Sequence, residues 1–237
     1  MPHTIALVGG TGPEGRGLAT RFALAGHRVI VGSREAERGA AVAETVRKEL
    51  AATTARGAAG STSGVSGATN EAAAAAADLI VITVPYEGHR ATLESLREPL
   101  SGKIVVDAVV PVRFDRGARP VEVAAGSATE EAAELLPDSR VVGAFHSLAA
   151  EALLDAPAPI DSDVLVTGAD AAAKRLVCDL AEQIDGVRAV DAGPLRFSRF
   201  AEGITVLLIG INGRYKARTH LRIVGLPDAP AGARPHG

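Results

Sequence analysis

The chain of 237 residues has one cysteine, one methionine and no tryptophan, and aromatic residues make up only 3% of it. The lone Cys178 can close no intrachain disulfide, so the covalent frame does not call for an oxidising compartment. Its place in "KRLVCDLAEQI" reads as a small core residue on a helix. Few aromatic rings mean few platforms for stacked bases, and a net charge of −3 argues against a nucleic-acid-binding surface. The longest apolar runs, "ADLIVITVP" and "ITVLLIGI", fall far short of the ~20 residues that span a bilayer, so no membrane partner is expected. "MPHTIALVGG" carries no basic region ahead of its apolar run and is not a signal peptide, which makes the expected location cytoplasmic. The usual catalytic kits are missing too. There is no Gly-x-Ser-x-Gly, no phosphate-loop lysine, and no Cys or His pair at metal-ligand spacing, so no metal site is expected.

What is present is alternation. "TIALV" (4–8), "RVIVG" (28–32), "DLIVITVP" (78–85), "KIVVDAVVP" (103–111), "RVVGAFHS" (140–147) and "DVLVTG" (163–168) are short apolar runs that read as buried strands. Between them lie helical patterns. One follows the first strand with Leu18, Ala19, Phe22 and Ala23 facing inward, and others cover 35–50 and 91–100. Ser127 to Glu130 has the form of a capping box opening a helix that stops before Pro137. The Gly/Ser/Thr/Ala-rich run 51–70 reads as a flexible surface loop. A helix capped at Asp170, a short strand "RAV" and a helical stretch over 195–211 complete the order. The pattern predicts an α/β fold, a doubly wound parallel Rossmann-type sheet with a smaller C-terminal α-rich part. With "DAPAPIDSD" as linker, the expected division is 1–155, 156–226 and a disordered tail over 227–237.

The first βα connection, "VGGTGPEGRG", holds Gly10-x-Gly12-x-x-Gly15 between a strand and a helix. In a dinucleotide site Gly10 permits the turn, Gly12 lets backbone approach a pyrophosphate, and Gly15 brings helix close to strand. The helix N-terminus then offers unpaired N–H groups and partial positive charge. The alternative is a tight βα turn with no ligand. The end of the second strand decides which nucleotide. Instead of a carboxylate for a ribose hydroxyl it reads Gly32-Ser33-Arg34-Glu35, with Arg38 one turn beyond. Ser33, Arg34 and Arg38 form a cradle for a 2′-phosphate, and Thr11 adds a donor from the glycine loop. This favours NADP, with a solvated helix face pairing Arg34 and Arg38 to Glu35 and Glu37 as the alternative. His146 ends the fifth strand and is expected to line the site. His89, after "VPYEG", is either a site residue or part of a surface loop.

A poverty of acid–base groups suits hydride exchange between two stacked rings, where positioning supplies most of the catalysis. The segments "IALVGGTGPEGRGLATRFALAGHRVIVGSRE", "TVPYEGH", "VVDAVVPV", "GAFHSLAA" and "DAGPLRFSRFAEGITVLLI" carry a family resemblance. Together they are similar to the NADPH-dependent reductases of coenzyme F420, a 5-deazaflavin (F420H2:NADP+ oxidoreductases). The resemblance implies an NADP site from Thr11, Gly12, Pro13, Glu14, Ser33, Arg34 and Arg38, with Val84, Val110 and Ala150 after the later strands and Leu221 over the nicotinamide. It also implies a homodimer and a deazaflavin bound between the large and small parts. Where the family has Trp-Glu-His, this chain has Tyr86-Glu87-Gly88-His89, so the role of His89 stays open. Arg214, Lys216, Arg218 and Arg222 put four cations into nine residues, suited either to the anionic coenzyme tail or to solvent. Two other readings remain: an NADP-dependent reductase of a small carbonyl, imine or flavin, and a non-catalytic NADP-binding protein.

Overall fold

The computed structural model describes residues 2–54, 64–156 and 158–226. Strand β1 (Thr4–Val8) leads through α1 (Pro13–Leu24) to β2 (Arg28–Ser33), then through α2 (Ala36–Thr54) to β3 (Val65–Thr69). Helix α3 (Asn70–Ala76) returns the chain to β4 (Leu79–Ile82), and α4 (His89–Ser95) and α5 (Arg97–Leu100) carry it to β5 (Ile104–Asp107). A hairpin of β6 (Val112–Phe114) and β7 (Ala118–Pro120) precedes α6 (Ala128–Leu135) and β8 (Arg140–Gly143). Then come α7 (Ala150–Leu154), β9 (Ser162–Gly168), α8 (Ala171–Ala181), β10 (Val187–Gly193) and α9 (Ser198–Tyr215).

Eight strands form one sheet in the order β10-β9-β8-β5-β4-β1-β2-β3. Strand residues alternate between two cores. Ile5 and Leu7 pack with Leu18, Phe22 and Val31 on one face, whereas Ala6 and Val8 pack with Ile80, Leu93 and Val105 on the other. Covering both faces is what lets these strands read as unbroken apolar runs. The expected capping box is present: Ser127 Oγ accepts from the Glu130 amide at 3.0 Å. Asp170 likewise accepts from the Ala173 amide at 2.6 Å. One buried cation ties the sheet's flank together. Arg21, on α1, donates to the carbonyls of Ala152, Leu153, Asp155, Ala156 and Ala158 at 2.7–3.0 Å.

Four expectations need correction. The sheet is only mostly parallel, because β9 runs antiparallel to β8. The connection 144–161 holds just the one short helix α7 among its described residues, and the chain re-enters the sheet from the edge where it left. Part of the expected loop 51–70 is ordered: α2 runs on to Thr54, β3 pairs in parallel with β2, and Asn70 opens α3, while residues 55–63 lie outside the described residues. Its glycine has a packing role, since a Cβ on Gly67 would lie 2.2 Å from Gly39 backbone on α2. The helix expected over 91–100 begins earlier and breaks at Leu96, where Pro99 withholds the amide that would bond to Ser95. The β6–β7 hairpin, turned by Arg116 (φ 52°) and Gly117 (φ 131°), was not foreseen at all. The tail 227–237 lies outside the described residues.

Candidate active site

Register alignment places Val8, Ile82, Asp107 and Gly143 in one row across four parallel strands. Everything the chain adds just beyond that row gathers at one sheet edge. Strands β2 and β3 lie to one side of β1 and β4 to the other, so the crevice between β1 and β4 is the switch point where open α/β sheets bind ligands.

The glycine loop crosses that crevice. Gly9, not Gly10, adopts the left-handed conformation (φ 74°), and its missing side chain lets Val84 pack against it. Gly10 donates to the carbonyls of Leu7 and Gly32 at 3.1 and 3.0 Å, and a Cβ on it would lie 2.7 Å from the Leu7 Cβ. Gly15 backs onto Gly10, with 2.5 Å left for a Cβ. Around Gly12, the N-cap of α1, a Cβ would meet nothing within 4 Å, and no side chain caps the helix. The turn is therefore closed on its protein side and open at Gly12, where bare backbone can meet a phosphate. Pro13 occupies the first helical position, and Thr11 is half-buried beside it. Asn70, which sequence reasoning missed, braces the turn by accepting from the Gly9 amide at 3.1 Å. The only signal for it is its position after an unrecognised strand.

At the end of β2, Ser33 is buried and its hydroxyl accepts from the Glu35 amide at 3.3 Å. Arg34 and Arg38 are exposed, and neither makes an ion pair with Glu35 or Glu37. The pairing with Glu35 and Glu37 is therefore not made, and both side chains stand in solvent. Two free guanidiniums beside a buried hydroxyl suit a phosphate monoester.

A cluster of titratable groups lies along the same edge around Asp107, which is fully buried. Glu14 is raised to about 8, first by burial and then by the Asp107 charge. His146 is buried, and burial depresses it to about 4, so it is neutral at pH 7. Its Nε2 has no hydrogen-bond partner among the described residues, an orphaned buried polar atom at a strand end. His89 is no surface-loop residue: it is fully buried, with Nε2 2.7 Å from Asp107 and Nδ1 3.0 Å from Glu131. Burial alone would lower its pKa, but the Asp107 charge and both hydrogen bonds prevail and lift it to about 9. On α9, Glu202 accepts from the amides of Ala128 and Thr129 at 2.9 and 3.1 Å, tying that helix to the N-terminus of α6. Burial outweighs those bonds and raises Glu202 to about 7. Neutral Glu14 and His146 leave the crevice uncharged, with cations gathered at the β2 end.

Val84 and Val110 are half-buried just past β4 and β5, and Ala150 begins α7. Leu221 lies farther along: its carbonyl accepts from the Asp163 amide at 2.7 Å, at the start of β9. Of the four C-terminal cations, Arg222 is committed elsewhere. It bonds Asp161 and the buried Asp163, which Arg188 and the Ile223 amide also engage. Arg214, Lys216 and Arg218 are exposed. Cys178 is a buried core residue, and burial pushes its thiol up to about 12.

No helix among the described residues is long and apolar enough to cross a membrane. Residues 4–111 match the protein family described as NADP oxidoreductase coenzyme F420-dependent. The F420-dependent NADP reductase of Methanothermobacter thermautotrophicus is 42% identical over 96% of this chain and 97% of its own length. That of Methanocaldococcus jannaschii is 40% identical, covering 94% and 98% of the two chains. A solved structure from Arthrobacter sp. FB24 that carries the label of an F420-dependent NADP-reductase superposes with a TM-score of 0.77 at 28% identity, covering 93% and 98%. Glycine loop, crevice and near-full-length similarity agree: the chain belongs to the family of F420-dependent NADP reductases.

Proposed function

We infer that the chain is an oxidoreductase moving a hydride directly between NADP(H) and the deazaflavin coenzyme F420. The observation that carries the reading is the pairing of an open glycine at the switch point with two free guanidiniums at the β2 end. These features fit NADP. Gly12 and the first turn of α1 would take the pyrophosphate, and Ser33, Arg34 and Arg38 the 2′-phosphate. Thr11, Pro13, Glu14, Val84, Val110, His146 and Ala150 would line the path to the nicotinamide, with Leu221 over it. When bound, the two coenzymes supply the hydride donor and acceptor, so the protein needs no acid or base at the reacting carbons. Its own residues hold both rings in reach, keep Glu14 and His146 neutral beside them, and exclude water with the Val109 to Val112 wall.

In this reading residues 1–155 hold the dinucleotide, and 156–226, through β9, β10 and α9, complete the deazaflavin side. Arg214, Lys216 and Arg218 face the anionic coenzyme tail, whereas Arg222 serves the fold. The protein works as a homodimer. Supporting this, α9 exposes Phe200 (61%) and Leu207 (62%) beside a groove shared with Ala118 and Pro120 on β7. Mixing protein, oxidised F420 and NADPH tests the function: the visible absorbance band of the deazaflavin should bleach. Bleaching no faster than without protein defeats the reading.

A further inference from the structure

Binding two coenzymes does not require an ionic triad sealed beneath the crevice, yet one is there. We propose that His89 is a positioning residue: an imidazolium bonded through both ring nitrogens, it cancels the Asp107 charge and so fixes the turn 108–110 that meets the nicotinamide half of NADP. The idea rests on reading the crevice as the NADP site.

A neutral imidazole has one N–H, and an ionised carboxylate has none. His89 meets a carboxylate oxygen at each nitrogen, Asp107 Oδ2 at 2.7 Å and Glu131 Oε2 at 3.0 Å. In the neutral ring with both carboxylates ionised, one nitrogen lone pair would face an oxygen lone pair where His89 and Asp107 are fully buried and Glu131 nearly so. With both nitrogens protonated, both contacts are charge-assisted hydrogen bonds. The charges then balance, because Arg90 on α4 donates to the other Glu131 oxygen at 2.7 Å. Two cations meet two carboxylates. Tyr86 stacks over the His89 ring at 6.0 Å. Glu14 on α1, Glu202 on α9 and His146 past β8 also feel the Asp107 charge.

Asp107 is the last residue of β5, and its second oxygen, Oδ1, accepts from the Val109 amide at 2.9 Å. One carboxylate thus shapes the strand exit and stays compatible with burial only while His89 neutralises it. Without the imidazolium, an unpaired charge would confront Glu14 across the crevice and disfavour an anionic ligand there. Shifting the segment 108–110 would relieve it.

The test combines ring spectroscopy with binding. In ¹⁵N-histidine-labelled protein, His89 should give two slowly exchanging ring N–H signals from pH 6 to 8, absent from His89→Gln. A single ring N–H at neutral pH overturns the proposal. By calorimetry, His89→Gln should weaken NADP+ binding about tenfold or more, because it leaves Asp107 unpaired. Adding Asp107→Asn should restore most of the affinity, since the amide keeps an acceptor for Val109 without the charge. A single variant that binds like wild type, or a double variant no better than the single, refutes the positioning role. If the single variant does not fold, the wild-type spectrum and the double variant's affinity still decide. Wild-type protein that binds no NADP+ defeats the reading of the crevice itself, and the ring signals then report on the imidazolium separately.

Discussion

Single residues in the crevice divide into those the turn needs and those a ligand needs, and substitution should separate them. Gly10→Ala forces a methyl against Leu7, where only 2.7 Å is free, and should cost about 1–3 kcal/mol in a denaturant melt. Gly12→Ala meets open space in an extended conformation that alanine adopts freely, so the melt should barely move while NADP+ affinity drops. Arg34→Ala and Arg38→Ala should each raise KM for NADPH about tenfold or more while sparing NADH, as a charge-assisted bond is worth ~1.5–3 kcal/mol. Equal losses for both nucleotides would mean the phosphate is read elsewhere. The glycine turn, and the exposed cations at the end of β2, were legible in sequence because both follow directly from residues next to a strand end. Asn70 and the His89–Asp107–Glu131 triad were not. Their partners lie 61, 18 and 42 positions away, and no periodicity announces a hydrogen bond across that span.

Secondary-structure elements follow the same logic. The central strands announced themselves because both faces are buried, leaving Ile, Leu and Val with no polar interruption. β3 stayed hidden because it sits at the sheet edge and carries Gly67 to let α2 approach, so packing glycine looked like loop glycine. The direction of β9 was equally unreadable, since strand composition does not encode polarity. Helix α9 was legible as an apolar helix, but not which of its faces would stay uncovered. Leu207 stands 62% exposed there. If that face joins two protomers, Leu207→Glu should convert a sedimenting dimer to a monomer while α9 stays anchored through Glu202. A wild-type monomer at micromolar concentration would remove the argument.

Across the whole molecule, the buried and half-buried titratable groups with shifted pKa values give stability a direction in pH. His89, raised from 6.5 to about 9, contributes fully below its unfolded value and loses that contribution as pH climbs toward 9. Glu202 and Glu14, raised from 4.5 to about 7 and about 8, bind protons in the fold that the unfolded chain has released, so they too favour lower pH. His146 works oppositely, depressed to about 4, and its contribution is lost on acidification below 6.5. From pH 6.5 to about 7 the three raised groups act together, Glu14 and His89 continue to about 8 and His89 alone to about 9, so Tm of the ligand-free protein should fall through that window, most steeply at its start. A flat or rising profile would show that the triad and Glu14 are not protonated in the fold. The clasp at Asp163 has its own consequence for the segment after α9. Residues 216–226 form no strand or helix, yet the Ile223 amide and the Arg222 side chain are held by a fully buried carboxylate. Trypsin should therefore cut only slowly after Arg222 although its side chain is 43% exposed, so that digestion would show irregular backbone fastened as firmly as a helix.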